Sequence, residues 1–233
     1  MSKLKWDQAG EKLYETGVDH VVVYPQVSGT YPKGVAWNGA SSISESPSGA
    51  EANDIYADNI KYLSLMSAEQ LGLSIEAYMY PPEFAVLDGT ADVANGVYVG
   101  QQTRKPFGIS YRTVVGNDTD ENDHGYKLHL VYNCKASPSE KQYQTINDSP
   151  EAITFSWEVN TTPVVLESIN PDTEKPFKPT AMLTIDSTKV DDTKLKAFEA
   201  ILYGTDPTTE GGNDGTEARL PSPDDVIDFF TKP

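Results

Sequence analysis

The sequence predicts a mainly β (α+β) protein, and three observations lead to that prediction. Hydrophobic residues recur with period two in several segments, as they do on a strand with one buried face. Helical spacing occurs in only two segments, both near the C-terminus. The chain has 233 residues and no internal repeat at the periods of solenoids or propellers, so one main domain is expected.

The strand predictions start from residues 153–160, where four large apolar residues are separated by polar ones. Residues 73–80 and 126–132 show the same alternation. Pro81 and Pro82 end the segment 73–80 because proline cannot donate a hydrogen bond to a neighbouring strand. Further strands are predicted at residues 18–24, 34–43, 60–66, 107–115 and 180–186, most of them ended by Gly, Pro, Asn or Asp.

The first predicted helix begins after Asp191 or Asp192, either of which can cap it. Its apolar residues Leu195, Phe198 and Leu202 have helical spacing, and Gly204 suits the left-handed conformation that ends a helix. We therefore expect one helix that flanks the β domain.

The second predicted helix is short and lies at the C-terminus. Ser222, Pro223 and Asp225 have the cap, first-position proline and third-position acid of a helix start. Before it, Gly211, Gly212 and Gly215 stand among polar residues, as in a flexible linker. The predicted organisation is a β domain at residues 1–204, a linker at 205–221 and a C-terminal helical arm at 222–233.

Charge argues against a nucleic-acid-binding protein. The net charge is −17, only three residues are arginine, and no basic stripe is visible. A protein that grips DNA needs such a stripe to displace counterions from phosphates. Net charge of this size also keeps a protein dispersed, which by itself selects no function.

Cys134 is the only cysteine, so no intramolecular disulfide can form, and synthesis in a reducing cytoplasm is expected. The sequence has no apolar stretch after its first lysines, which argues against a secretory signal. It has no run of about 18 apolar residues, the length that a membrane helix needs.

Residues 117–125, NDTDENDHG, resemble the start of a calcium loop because Asp118, Asp120 and Asn122 alternate. The sixth position is Asp123 instead of glycine and the twelfth is His129 instead of glutamate. A turn between two strands explains the same residues, and we expect a turn and no metal site.

No other pattern indicates catalysis or a cofactor. The three histidines are scattered; His124 could pair with Asp123, but no Gly-x-Ser-x-Gly turn presents a nucleophile near it. No phosphate-binding glycine pattern occurs. We predict a non-enzymatic protein, with a hydrolase that uses His124 or Asp123 as a remote alternative.

A carbohydrate-binding β-sandwich is the main alternative function. Exposed aromatic side chains can stack on sugars, but tyrosine is equally common on half-buried sheets and at protein interfaces. The residues alone do not choose between a lectin and an assembly subunit. The aromatic residues in question are Tyr31, Trp37, Tyr56, Tyr62, Tyr78 and Tyr80.

Four long stretches resemble the major tail proteins of siphoviruses and of related prophages of Gram-positive hosts. They occur in the same order as in that family, and the resemblance covers nearly the whole chain. The stretches are KWDQAGEKLYETGVDHVVVYP (5–25), GVAWNGASSISESPSGAEANDIYADNIKYLSLMS (34–67), GNDTDENDHGYKLHLVYN (116–133) and NDSPEAITFSWEVNTTPV (147–164). The glycine-rich residues 211–215 are where the chain differs from this family.

The resemblance implies a tail-tube fold, a β-sandwich or half-barrel with a flanking helix. It implies a virion protein whose hexameric rings stack into a tube that surrounds the tape-measure protein and later conducts DNA without binding it specifically. Its partners would be copies of itself, the tape-measure protein, the tail terminator and the distal tail protein.

Two hypotheses follow from this resemblance. The acidity would give the tube a lumen that repels phosphates, so that DNA slides through it. The polar residues 44–57 form a predicted loop that is longer than a hairpin needs. This loop would reach a neighbouring subunit, with Ser48, Glu51, Asp54 and Tyr56 fixing the contact between rings.

Overall fold

The computed structural model describes residues 3–146, 148, 151–208 and 214–232. The protein is mainly β, with 46% of its residues in strands and 12% in helices, which confirms the predicted fold class. In chain order the strands are β1 (Tyr14–Pro25), β2 (Val35–Ala36), β3 (Ala40–Ser48), β4 (Ala52–Ala57), β5 (Ile60–Met66), β6 (Gln70–Ala77), β7 (Ala91–Ala94), β8 (Val97–Val99), β9 (Phe107–Asn117), β10 (Glu121–Ala136), β11 (Phe155–Thr161), β12 (Ile169–Asn170), β13 (Lys175–Pro176) and β14 (Met182–Asp186). The helices are α1 (Pro82–Leu87), α2 (Asp192–Tyr203) and α3 (Pro223–Thr231).

One antiparallel sheet of eight strands organises the molecule. Its order is β2-β1-β9-β10-β11-β6-β3, and β14 also pairs with β10. β10 spans 16 residues and is paired on both edges: with β9 on one, and with β14 and then β11 along the other. The sheet curls, so that β3 approaches β1. The two end strands, β2 and β3, both contribute side chains to one core.

The inner core is the set of apolar side chains enclosed by this curl. Alternating residues supply it, among them Leu73 and Ile75 from β6 and Trp157 and Val159 from β11. Phe84 of α1 is fully buried against the Trp157 ring, with ring centres 5.2 Å apart. The alternation predicted for these two strands is thereby confirmed.

The outer core lies on the opposite face of the sheet, between Leu128 and Leu130 of β10 and the helices α2 and α3. α2 begins after Asp191, whose side chain accepts a hydrogen bond from the Lys194 amide, and it ends at Gly204. α3 has the full capping box of Ser222 and Asp225. Both helix predictions are confirmed.

The predicted loop at residues 44–57 is wrong. Residues 44–48 complete β3, and residues 52–57 form β4, which pairs with β5. The period-two signal is absent because both faces of β4 lie near solvent, so no apolar face alternates with a polar one. The predicted strand at 34–43 is divided between β2 and β3. α1 and the strands β7 and β8 were not predicted.

The segment predicted as a linker, residues 205–221, is described at 205–208 and 214–221; Gly211 and Gly212 lie outside the described residues. Thr205 and Thr216 exchange backbone hydrogen bonds of 3.0 and 3.1 Å. Leu220 is buried and bridges to Tyr31. In the described ranges, no helix has the length and hydropathy needed to cross a membrane.

Candidate assembly surfaces

A hairpin of β4 and β5 extends from the end of the sheet, and we call it the projecting hairpin (residues 52–66). The last pair of the β3–β6 ladder is Ser48 with Gln70. Gly49 and Ala50 then both adopt positive φ, at 82° and 55°, which turns the chain out of the ladder. An alanine in this conformation costs about 1 kcal/mol, so the turn is held by its surroundings.

The projecting hairpin closes with a tight two-residue turn. Ala57 pairs with Ile60, and the intervening Asp58 and Asn59 have φ values of 50° and 64°. Two consecutive positive φ values are typical of the type I′ turn, whose twist matches that of the strands. Local geometry therefore favours the hairpin, and packing on the other helices and strands of the described residues adds little to it.

Both faces of the projecting hairpin carry exposed apolar side chains. The register of the β4–β5 ladder shifts by one residue at Tyr62, so Ile60 lies on the same face as Leu63 and Leu65, while Tyr56 and Met66 lie on the other face. Tyr62 is 68% exposed and Met66 69%. An isolated two-stranded hairpin is only marginally stable in water, so a partner that covers these faces would stabilise it.

The charges on the projecting hairpin largely neutralise each other. The Asp54 carboxylate accepts a hydrogen bond of 2.6 Å from the Ser64 hydroxyl and lies 2.7 Å from the Lys61 ammonium. The hydrogen bond from Lys61, followed by that from Ser64, lowers the pKa of Asp54. Asp58 in the turn is the other acidic residue of the hairpin.

The four residues predicted to make contacts between subunits lie on or beside this hairpin. Ser48 is the last residue of β3 and Glu51 is exposed immediately before β4. Asp54 and Tyr56 belong to β4, and the Tyr56 side chain is 67% exposed. Sequence reasoning missed the apolar partners on β5, since residues 60–66 were recognised only as a strand.

A second hairpin, formed by β7 and β8 (residues 91–99), was missed altogether. Its turn is Asn95-Gly96, a strong sequence signal for a short hairpin that could have revealed it. Val93, Val97, Tyr98 and Val99 are exposed. Asp92 is its only charged residue.

The two hairpins belong to opposite ends of the curled sheet. The projecting hairpin joins the start of β6, because Ser48 and Gln70 form its base. The second hairpin follows α1, which packs where β6 ends; Tyr80 there contacts Phe155, the partner of Ala77. At its base the Gln102 amide donates a 2.8 Å hydrogen bond to the Gly89 carbonyl.

The turn between β9 and β10 has a structural role. The Asn117 side chain accepts hydrogen bonds from the Thr119 and Asp120 amides and so shapes the turn, which confirms that these residues connect two strands. The Asp118 carboxylate accepts hydrogen bonds from the amides of Gly10 and Lys12, at 3.0 and 3.3 Å. The loop therefore holds the N-terminal segment against the sheet.

His124 contacts Asp120, with 3.3 Å between Nδ1 and the carboxylate, and its predicted pairing with Asp123 is not observed. Within the described residues, no group of three or more His, Cys, Asp or Glu side chains is arranged to hold a metal ion. Cys134 is fully buried, and this burial raises the pKa of its thiol. A protonated, inaccessible thiol is a poor nucleophile.

The aromatic residues considered for sugar stacking do not form one surface. Tyr31 and Trp37 are buried, at 6% and 3% exposure, so their ring faces are not available to a ligand. Tyr56 and Tyr62 lie on the projecting hairpin, while Tyr78 lies beyond the opposite end of β6. The six aromatic residues therefore do not share one stacking surface, and Tyr56 and Tyr62 are the two that are exposed on the same hairpin.

Neither the comparison with protein-family models nor that with curated proteins yields a match for this chain.

Proposed function

We propose that this protein is the major tail protein of a long-tailed phage, a structural subunit whose hexameric rings stack into the tail tube. The observation that carries the proposal is the projecting hairpin, whose two faces both bear large apolar side chains that its own chain leaves exposed. Apolar patches of this kind on a protein surface mark sites of association. The resemblance of four long sequence stretches supplies the identity of the assembly.

The fold is compatible with a tail-tube subunit. The curled antiparallel sheet with flanking helices supports the half-barrel of the proposal. Sheets present unpaired edges that pair readily with another chain, and ring closure between sister molecules would satisfy them. Contacts between successive rings are heterologous, and such contacts generate open filaments.

The proposed partners are copies of this chain, the tape-measure protein inside the tube, and the tail terminator and distal tail protein at its ends. DNA would pass through the lumen without specific binding. The net charge of −17 supports this part of the proposal, because carboxylates facing the lumen would repel phosphates. The protein would be made in the host cytoplasm and located in the virion tail tube.

Electron microscopy of the purified protein tests the proposal. Concentrated wild-type protein is expected to form tubes of uniform diameter in negative stain. In the key variant, residues 49–69 are replaced by a short Gly-Ser turn that joins Ser48 to Gln70, which are already paired. We expect this variant to keep the far-UV spectrum of a mainly β protein and to form no tubes.

A wild-type protein that stays monomeric at every accessible concentration, or a variant that still assembles, would contradict the proposal. The remaining alternative, a carbohydrate-binding module, predicts binding of the monomer on a glycan array. That binding would have to depend on Tyr56 or Tyr62, the two aromatic residues that share the exposed hairpin.

A further inference from the structure

The second hairpin offers an apolar surface of the same character as the projecting hairpin. Tyr98 is 50% exposed and Val97 55%, and the neighbouring Val93 and Val99 are exposed as well. Among the helices and strands of the described residues, substantial packing of either hairpin on another element is limited to a contact of β7 with α1. Each is therefore an unpartnered surface, and one chain carries two of them.

Their positions prevent them from covering each other within one molecule. The projecting hairpin starts where β6 begins, and the second hairpin is attached where β6 ends. A pair of sites at opposite ends of one subunit has the geometry of a head-to-tail contact, which repeats without closing. Two copies in line bring the projecting hairpin of one toward the second hairpin of the next.

Charge supports the same pairing. Two molecules with a net charge of −17 repel each other, so the surfaces through which they meet must be poor in carboxylates. The second hairpin contains Asp92 alone, and in the projecting hairpin Asp54 is paired with Lys61. Close approach of these two surfaces therefore involves few carboxylates, namely Asp92 and, at the tip of the projecting hairpin, Asp58.

We propose that the second hairpin of one copy is the docking site for the projecting hairpin of the next copy along the tube. This inference rests on the proposed function and specifies which two surfaces meet. The occupant of the site is the exposed apolar side of another copy's β4–β5 hairpin. Each subunit then acts as donor at one end and acceptor at the other.

Two complementary variants test the pairing. The donor variant carries Ile60→Asp and Tyr62→Asp, and the acceptor variant carries Val97→Asp and Tyr98→Asp. All four side chains are at least half exposed, so the fold of the subunit should survive, which circular dichroism and the melting temperature check. Val165→Asp, at a residue that is 71% exposed elsewhere on the chain, is the matched control for an added carboxylate.

Each variant alone should form long assemblies only at a protein concentration about tenfold or more above that needed by wild type. The reason is that an uncompensated carboxylate would be buried at the contact. The control should assemble like wild type. When donor and acceptor variants are purified separately and then mixed, one intact donor meets one intact acceptor. The expected product is a joined species of twice the size, which sedimentation velocity detects and which does not grow further.

Three outcomes would overturn the pairing while leaving the proposed function standing. The acceptor variant could assemble like wild type, the acceptor variant alone could associate through two projecting hairpins, or the control could be as defective as the variants. Single substitutions Tyr62→Ser and Tyr98→Ser repeat the comparison without added charge if a doubly substituted chain does not fold. Failure of the wild-type protein to associate at all would instead refute the proposed function.

Discussion

His129 is a buried histidine between two carboxylates at one end of the inner core. Its ring stacks on Tyr111 at 4.7 Å, and its nitrogens lie 3.8 Å from carboxylate oxygens of Glu15 and Glu45. The Thr113 hydroxyl lies 2.9 Å from Nε2. Burial lowers the pKa of His129 more than the two carboxylates raise it, with Lys127 adding to the decrease.

This environment predicts a pH dependence of stability. Because the pKa of His129 in the folded state lies below its unfolded value of about 6.5, the unfolded chain binds the proton more readily. The contribution of neutral His129 to the free energy of unfolding is complete above about pH 6.5. It is lost as the pH falls through the pKa of His129 in the folded state. Urea unfolding between about pH 7.5 and 5 should show wild type losing more stability than His129→Gln.

The reference for this measurement is His124→Gln, which removes a histidine near the start of β10. Below about pH 5 the acidic residues titrate as well, so the comparison belongs above that range. Parallel losses of stability in wild type and His129→Gln would show that His129 does not carry the dependence.

Asp88 is a buried carboxylate that joins three connecting segments. It lies 3.1 Å from the Lys141 ammonium, accepts a 3.2 Å hydrogen bond from the Trp157 indole, and lies 3.5 Å from the Arg104 guanidinium without hydrogen-bond geometry. Lys141 also sits over the Tyr80 ring at 4.9 Å. One acidic group thus fixes the residues after α1, before β9 and after β10.

Asp88→Asn should destabilise the fold by about 3 kcal/mol, because Arg104 and Lys141 would remain partly buried without their counter-charge. Both cations keep about a quarter of their exposure, which favours the low end of the range for breaking a buried pair. Chemical denaturation measures the loss. Lys141→Met is the companion variant: it leaves Asp88 with Arg104 and should cost less, and equal costs would contradict the assigned role of the carboxylate.

At the level of elements, α3 shows how a local signal and tertiary packing combine. Its capping box was visible in the sequence, but its position on the outer core was not. Phe229 and Phe230 both contact Phe198 of α2, with ring centres 5.5 and 5.2 Å apart. Ser222 and Pro223 fix where the helix starts, and these aromatic contacts hold it against α2.

Ser222→Ala should therefore lower the stability of the protein by about 1 kcal/mol, the usual effect of removing a cap. Ser222→Asn keeps a side-chain acceptor at the cap and should behave like wild type. Thermal unfolding and hydrogen exchange of the α3 amides measure both variants. A loss of the same size in Ser222→Asn would mean that the hydroxyl acts through some other contact.

A strand or helix was predictable from the sequence where one of its faces is buried and the other is exposed. β6 and β11 alternate because one side faces the inner core, and α2 shows its apolar stripe because it packs on β10. β4 has no such face, and its register shifts between Ile55 and Tyr56, so the pattern that reveals a strand is absent. α1 has six residues, and its start signals are limited to Pro82 and the acidic Glu83 in its first turn.

The sequence indicated the segment in which the candidate assembly surface lies, but only some of the residues that form it. Its predicted residues were the polar ones, because exposed polar residues suggested a loop. The large apolar residues of β5 were interpreted as an ordinary strand, and the exposure of Tyr62 and Met66 becomes evident only when nothing in the fold covers them. A search for apolar strands without a packing partner requires the structure.

At the scale of the whole molecule, the acidity would oppose the proposed assembly through the apolar hairpins. Subunits with a net charge of −17 repel each other at long range, and the Debye length sets how far that repulsion acts. It falls from about 30 Å at 0.01 M salt to about 3 Å at 1 M. An apolar contact between hairpins, as proposed above, would not be weakened by this screening.

Salt should therefore promote assembly. At a fixed protein concentration, raising sodium chloride from about 0.01 M to about 1 M should increase the assembled fraction measured by light scattering and sedimentation. The donor variant, whose carboxylates replace Ile60 and Tyr62, should gain more from salt than wild type because part of its defect is repulsion. Assemblies that dissolve as salt rises would indicate contacts built on ion pairs between subunits, and the apolar hairpin contact would then not be the driving interaction.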